Sequence, residues 1–105
     1  MRITVSHNKG KEEAMRIVDT ATDTVLRPMF SGPIQMTNVQ KHWSGSRLIF
    51  SLMAGMGIAR VPINGWILAT DTDITIECDL PAFIEGILPQ RVRSNVQSAV
   101  RGLLK

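Results

Sequence analysis

The chain has 105 residues and a mass of 11.6 kDa, with 44% apolar residues, 20% charged residues and a formal net charge of +3. These values describe one small globular domain over residues 1–105 and exclude a multidomain enzyme. The stretch from Pro28 to Thr70 carries only Lys41, Arg47 and Arg60, and the remaining residues balance nine basic against nine acidic side chains, so the net charge of +3 and the pI near 9.6 reflect a charge-poor middle rather than a nucleic-acid-binding stripe.

A domain of this length buries enough surface for one core without disulfides or metals. The lone cysteine, Cys78, cannot form an internal disulfide, and Met1 to His7 contain no apolar stretch of signal-peptide type, so a cytoplasmic location is expected. The uncharged run Leu48 to Ala59 is 12 residues long and is interrupted by Gly55 and Gly57, so no transmembrane segment is expected.

In chain order, Ile3 to Val5 alternate with polar neighbours and predict a short opening strand. Asn8 is the expected cap of a helix in which Ala14, Val18, Ala21 and Val25 form one apolar face, and Pro28 ends it. Met29 to Asn38 reads as a loop. From Val39 the apolar period becomes two: strands are predicted over Val39 to Ser44, Arg47 to Met53, Arg60 to Thr70 and around Ile74, Ile76 and Cys78. Ser44-Gly45-Ser46, Ala54-Gly55-Met56-Gly57 and Asp71-Thr72-Asp73 read as the turns between them, and Pro62 predicts a bulge or an unpaired edge. Ala82 to Leu88 reads as a short helical turn. Pro89 opens a last helix whose stripe is Val92, Val96, Ala99, Val100 and Leu103. The order strand, helix, four strands, helix predicts an α+β fold, an antiparallel sheet with its helices packed on one face.

No pattern assigns a reaction, and no catalytic, cofactor-binding or metal-ligating residue is predicted. His7 and His42 lack the spacing of a metal pair, and His7 reads as a strand-end residue bonding a helix start or a loop carbonyl. Cys78 falls on an apolar strand face, with Glu77 and Asp79 beside it to disfavour the thiolate. Asp71, Asp73, Glu77 and Asp79 lack the central glycine and closing glutamate of a calcium loop, and Gly55-Met56-Gly57 lacks the strand-to-helix setting of a phosphate cradle. Arg91, Arg93, Arg101 and Lys105 make the last helix basic, but the chain has no tyrosine and no ladder of stacking rings, so nucleic acid is not an expected partner.

The informative feature is the second face of the sheet. If Leu48, Phe50, Ile63, Ile67, Ile74 and Ile76 face the helices, alternation sends Ile49, Met53, Trp66 and Leu68 outward among Arg47, Ser51, Asn64 and Thr75. Together with Met56 they form a candidate apolar contact surface: Ile49, Met53, Met56, Trp66 and Leu68. It is either a surface for a ligand or a homodimer partner, or core covered by the opening loop or a second subunit. A cavity between sheet and helices that binds a small molecule is a further alternative.

Ser6-His7-Asn8-Lys9-Gly10, Glu13-Ala14, Trp43-Ser44-Gly45 with Leu48 and Phe50-Ser51, Met53-Ala54-Gly55-Met56-Gly57, Gly65, Thr70-Asp71-Thr72-Asp73 and Asp79-Leu80-Pro81, in this order along most of the chain, resemble the polyhydroxyalkanoic acid system protein family. The resemblance implies a small bacterial protein of the polyhydroxyalkanoate storage system; it brings no established catalytic residues to carry over, and no cofactor is expected. It further implies an accessory role, with a hydrophobic polyester granule or a granule protein as partner and a place on the granule surface.

Overall fold

A computed structural model describes residues 2–27, 34–79 and 92–104. The elements in these ranges are β1 (Arg2–Ser6), α1 (Lys11–Thr20), α2 (Thr22–Leu26), β2 (Gln35–Ser44), β3 (Arg47–Met56), β4 (Ala59–Ala69), β5 (Asp73–Asp79) and α3 (Val92–Leu103). The strands form one antiparallel sheet in the spatial order β1-β5-β4-β3-β2. This is the expected α+β architecture: a meander from β2 to β5, with the opening strand added beside β5.

One sheet face is packed. Ile3, Val5, Leu48, Phe50, Leu52, Ile63, Ile67, Ile74, Ile76 and Cys78 are buried there with Ala14, Val18, Val25 and Leu26 of the first two helices and Val96 and Val100 of α3. At the middle of this face the Phe50 ring takes the space that a side chain at Gly65 would fill. The two residues are cross-strand partners, and a Cβ at position 65 would lie 2.6 Å from Phe50 Cζ and 2.4 Å from the Glu77 carbonyl oxygen.

Four boundaries differ from the sequence expectation, each for a local reason. The first helix is broken at Ala21, whose backbone leaves helical geometry (φ −115°, ψ 27°). Thr20, Thr22 and Thr24 favour helix weakly, and the Thr20 and Thr22 hydroxyls donate back to the carbonyls of Arg16 and Val18, at 2.9 and 2.8 Å, an arrangement that bends helices. Asn8 is not the cap. Helix α1 starts at Lys11 behind Gly10 (φ 83°), and the missing acceptor comes from another part of the chain, because Asp71 Oδ1 receives the Lys11 N–H at 3.0 Å.

Strand β2 begins at Gln35 rather than Val39. A bulge between Thr37 and Gln40, with Asn38 at φ 54°, places two residues opposite one, so Met36 and Val39 both pack against the core although their spacing is odd. Strand β3 continues through Gly55 to Met56, and the turn is the two-residue Gly57-Ile58. Gly55 is tolerated in the strand because the stem of its partner Arg60 covers it: a Cβ there would meet Arg60 Cγ at 3.2 Å. Pro62 pairs in register with Met53 and lies beyond the residues of β4 that pair with β5, so β4 presents an open edge there among the described residues. The earlier part of the Met29 to Asn38 loop, the turn at Ala82 to Leu88 and the start at Pro89 fall outside the described residues.

One hydrogen-bonded corner sets where α1 leaves the sheet. The His7 N–H donates to the Thr72 carbonyl at 2.8 Å, His7 Nε2 donates to the Thr70 carbonyl at 2.9 Å, and Nδ1 accepts the Lys9 N–H at 3.1 Å. Both ring nitrogens are therefore committed, which fixes the Nε2–H tautomer. The turn itself is held by Thr70 Oγ1, which accepts the N–H groups of Thr72 and Asp73 at 3.2 and 2.9 Å.

Two stability changes follow from this packing. Gly65→Ala should destabilise the protein by about 3 kcal/mol in urea unfolding, the upper part of the range for overpacking, because the carbonyl of a neighbouring strand cannot move aside. Asp71→Ala should cost about 1 kcal/mol through loss of the cap on α1, whereas Asp71→Asn, which keeps an acceptor oxygen, should cost clearly less.

Candidate functional site

The outer face of the sheet is built in cross-strand rows. One row runs Arg2, Glu77, Trp66, Ile49, His42 across all five strands, and the next runs Thr4, Thr75, Leu68, Arg47, Ser44. Further along the hairpin Met53 is paired with both Pro62 and Thr37. Ile49, Met53, Trp66 and Leu68 are each half-buried on this face, and no described helix packs over it. Met56 ends β3 at the same end of the hairpin; its side chain falls outside what the structure describes.

The face divides by chemistry. Toward β1 and β5 its polar groups satisfy one another: Arg2 pairs with Glu77 at 2.9 Å, the Thr4 and Thr75 hydroxyls meet at 3.1 Å, and Ser6 Oγ donates to Asp73 Oδ1 at 3.3 Å. On the other edge, β2 contributes Gln35, Thr37, Gln40, His42 and Ser44. Between these polar margins the β3–β4 hairpin carries Leu68, Ile49, Trp66, Met53 and Pro62, interrupted by the row of Ser51 and Asn64. The apolar strip runs along the hairpin toward Gly57-Ile58, about 30 Å for a strand of ten residues.

Trp66 is the anchor of the strip and is not purely apolar. Arg47 Cζ lies 4.5 Å and Arg2 Cζ 5.6 Å from its ring centroid, both within the range in which a guanidinium is attracted to the ring. An open hollow of about 510 Å³ adjoins the indole, between Ile49, Asn64, Glu77 and Asp79. The two guanidiniums over Trp66 are not legible in the sequence. Arg47 is visible there only as an outward neighbour, and Arg2 is 64 residues away, brought in by β5.

The second tryptophan has a different place. Trp43 packs at the edge of the core, and its Nε1–H donates to Asp19 Oδ1 at 2.9 Å. Beside it Lys41 Nζ donates to the Asp19 carbonyl and to Thr22 Oγ1, the latter at 3.0 Å. Lys41 thus joins the Thr22 hydroxyl on the Asp19 carbonyl in the last turn of α1 and ties the edge strand to the break between the helices.

Two residues capable of acid–base or nucleophilic work, His7 and Cys78, are held in structural roles. His7 is committed to the corner. Cys78 is buried, and burial pushes its thiol up to about 11, with Asp79 adding to the rise and the N-terminal ammonium opposing it. Among the described residues no three His, Cys, Asp or Glu side chains gather to hold a metal ion. No helix there is long and apolar enough to cross a membrane.

Several of the motifs that carry the resemblance lie at defined points of the fold: Ser6 to Gly10 and Thr70 to Asp73 form the corner, Gly65 receives the Phe50 ring, and Gly45 and Gly57 head the two tight hairpins. The model of the polyhydroxyalkanoic acid system proteins matches residues 1–104. The chain belongs to this family. No characterised protein and no solved structure matches it significantly. Membership links the chain to the polyhydroxyalkanoate system and supplies no reaction.

The buried thiol gives a pH test of this assignment of Cys78 to the core. The fold holds the proton to about 11 against an ordinary value of 9.0, so the stabilisation is complete below pH 9 and is lost as pH rises through 11. Between these limits wild type should lose roughly 2–3 kcal/mol of unfolding free energy relative to Cys78→Ala in urea titrations. Parallel pH profiles for the two proteins would show that the thiol is not buried as described.

Proposed function

We propose that this protein is a non-enzymatic accessory of polyhydroxyalkanoate storage that associates with the granule, or with proteins on it, through the outer face of its sheet. The observation that carries the reading is the apolar strip of Ile49, Met53, Trp66 and Leu68, half-buried on a face that no described element covers. An apolar strip between polar margins fits a contact surface, since the margins keep the rest of the sheet wetted while the strip leaves water. The stretch from Pro28 to Thr70 contains no acidic residue, so the strip on β3 and β4 approaches a hydrophobic phase without a carboxylate of its own strands to desolvate.

Membership in a polyhydroxyalkanoic acid system family supports a partner within the polyester granule system. A non-enzymatic role agrees with the structural commitments of His7 and Cys78. The same face would also serve a homodimer, and the two readings differ in a simple observable: a dimer forms without polymer.

Purified protein should sediment with amorphous particles of poly(3-hydroxybutyrate), and the double variant Trp66→Gln, Leu68→Thr should lose about tenfold or more in bound fraction while keeping the wild-type circular dichroism spectrum. Light scattering should give one protomer in the absence of particles. Binding unchanged in the folded variant, or a stable dimer broken by the same two substitutions, would replace the granule reading with the alternative.

A further inference from the structure

We infer that the Gly57-Ile58 turn at the tip of the β3–β4 hairpin is the element that enters the hydrophobic polymer, with Ile58 as its inserted side chain and Arg60 as the hydrogen-bond donor behind it. This rests on the granule reading and specifies which part of the molecule makes the penetrating contact.

The two hairpins at opposite ends of β3 provide an internal comparison. Each has a two-residue turn with glycine first at positive φ, Gly45 at 62° and Gly57 at 65°, and the second residue in the ordinary negative-φ half, as in a type II′ turn. In the first the second residue is Ser46, the small polar type such turns favour. In the other it is Ile58. Turn geometry therefore does not call for isoleucine, and core packing does not either: Ile58 is 103% exposed and is the one large hydrophobic residue exposed among those described.

The surroundings favour a soft apolar phase over a folded partner. Gly57, Ile58, Ala59 and Arg60 are all exposed, so the tip is convex. A point of this size cannot alone supply the roughly 800 Å² per partner of a stable protein interface, whereas it can enter an amorphous phase that closes around it. Arg60 lays its stem over Gly55 and makes no ion pair with a described carboxylate. A polyester of hydroxyalkanoic acids offers ester carbonyls as acceptors and no donors along its chain, which complements an arginine placed two residues behind an inserted isoleucine.

The test introduces a single cysteine at the tip, Ile58→Cys, labelled with an environment-sensitive fluorophore. Cys78 is buried with its thiol held protonated and does not compete for the label. The same label on Ser46→Cys reports the opposite end of β3. With amorphous poly(3-hydroxybutyrate) particles, the emission of the label at 58 should shift to the blue and that at 46 should not. Ile58→Ser, which copies the other hairpin and should keep the wild-type melting temperature, should weaken binding about tenfold.

If wild type binds the particles while the label at 58 is silent and Ile58→Ser binds equally well, the tip is not inserted and the sheet-face reading stands without it. A blue shift with phosphatidylcholine–phosphatidylglycerol vesicles and none with polymer would overturn the polyester assignment in favour of lipid. Failure of wild type to bind polymer at all would remove direct granule contact, and the insertion with it.

Discussion

Each strand of the sheet sends alternate side chains to two faces, and the described helices pack on only one of them. That asymmetry decides which residues are core and which are left to meet something else. It is strictest at the middle of the packed face, where Phe50 occupies the space above Gly65 and the backbones of β3, β4 and β5 are held so close that a single methyl group would strike the Glu77 carbonyl. With that ring seated, the neighbouring rows follow: Leu48 and Ile67 on one side, Leu52 and Ile63 on the other, all inward. Ile49, Trp66 and Met53 then have no way of turning toward the core without moving the whole register by one residue.

The charge-poor middle of the chain is explained by the same geometry. It forms the meander strands β2, β3 and β4, and each of its three charges leans on a specific neighbour. Lys41 reaches the end of α1, Arg47 lies against the Trp66 ring, and the Arg60 stem covers Gly55. Long cationic side chains suit these places because their stems cover apolar or bare backbone surface while the charged group reaches an acceptor, a ring or water. The carboxylates of the sheet are confined to β5, where Glu77 and Asp73 are paired with groups on β1.

Alternation was legible in the sequence wherever it was uninterrupted. Leu48, Phe50 and Leu52, and Ile74, Ile76 and Cys78, define their faces without reference to anything distant, and the outward set followed by parity. Legibility failed where one strand departs from period two or where the partner is remote. Ile34 and Met36 are out of step with Val39 because of the Asn38 bulge, so the start of β2 reads as loop. Gly55 reads as a turn residue because its cover, Arg60, comes from the returning strand. The cap of α1 lies 60 residues away, and no local rule selects Asp71 over Asn8. Ile58 was missed for a related reason: placing the turn at Ala54 to Gly57 hid the departure from polar turn chemistry, which a shift of the turn by two residues would have exposed.

The two arginines on Trp66 change what the outer face can do. A bare indole on an open sheet would favour any apolar partner, including a second copy of the chain. Held between guanidiniums, its ring stays compatible with water in the unbound state, and the attraction strengthens when the site is desolvated. On the proposed granule reading, the arginines of this anchor would keep hydrogen-bond partners in an acceptor-bearing polymer. Under the proposed insertion the strip has a direction: Arg2 and Arg47 flank Trp66 at one end, and Ile58, with Arg60 two residues behind it, stands at the other.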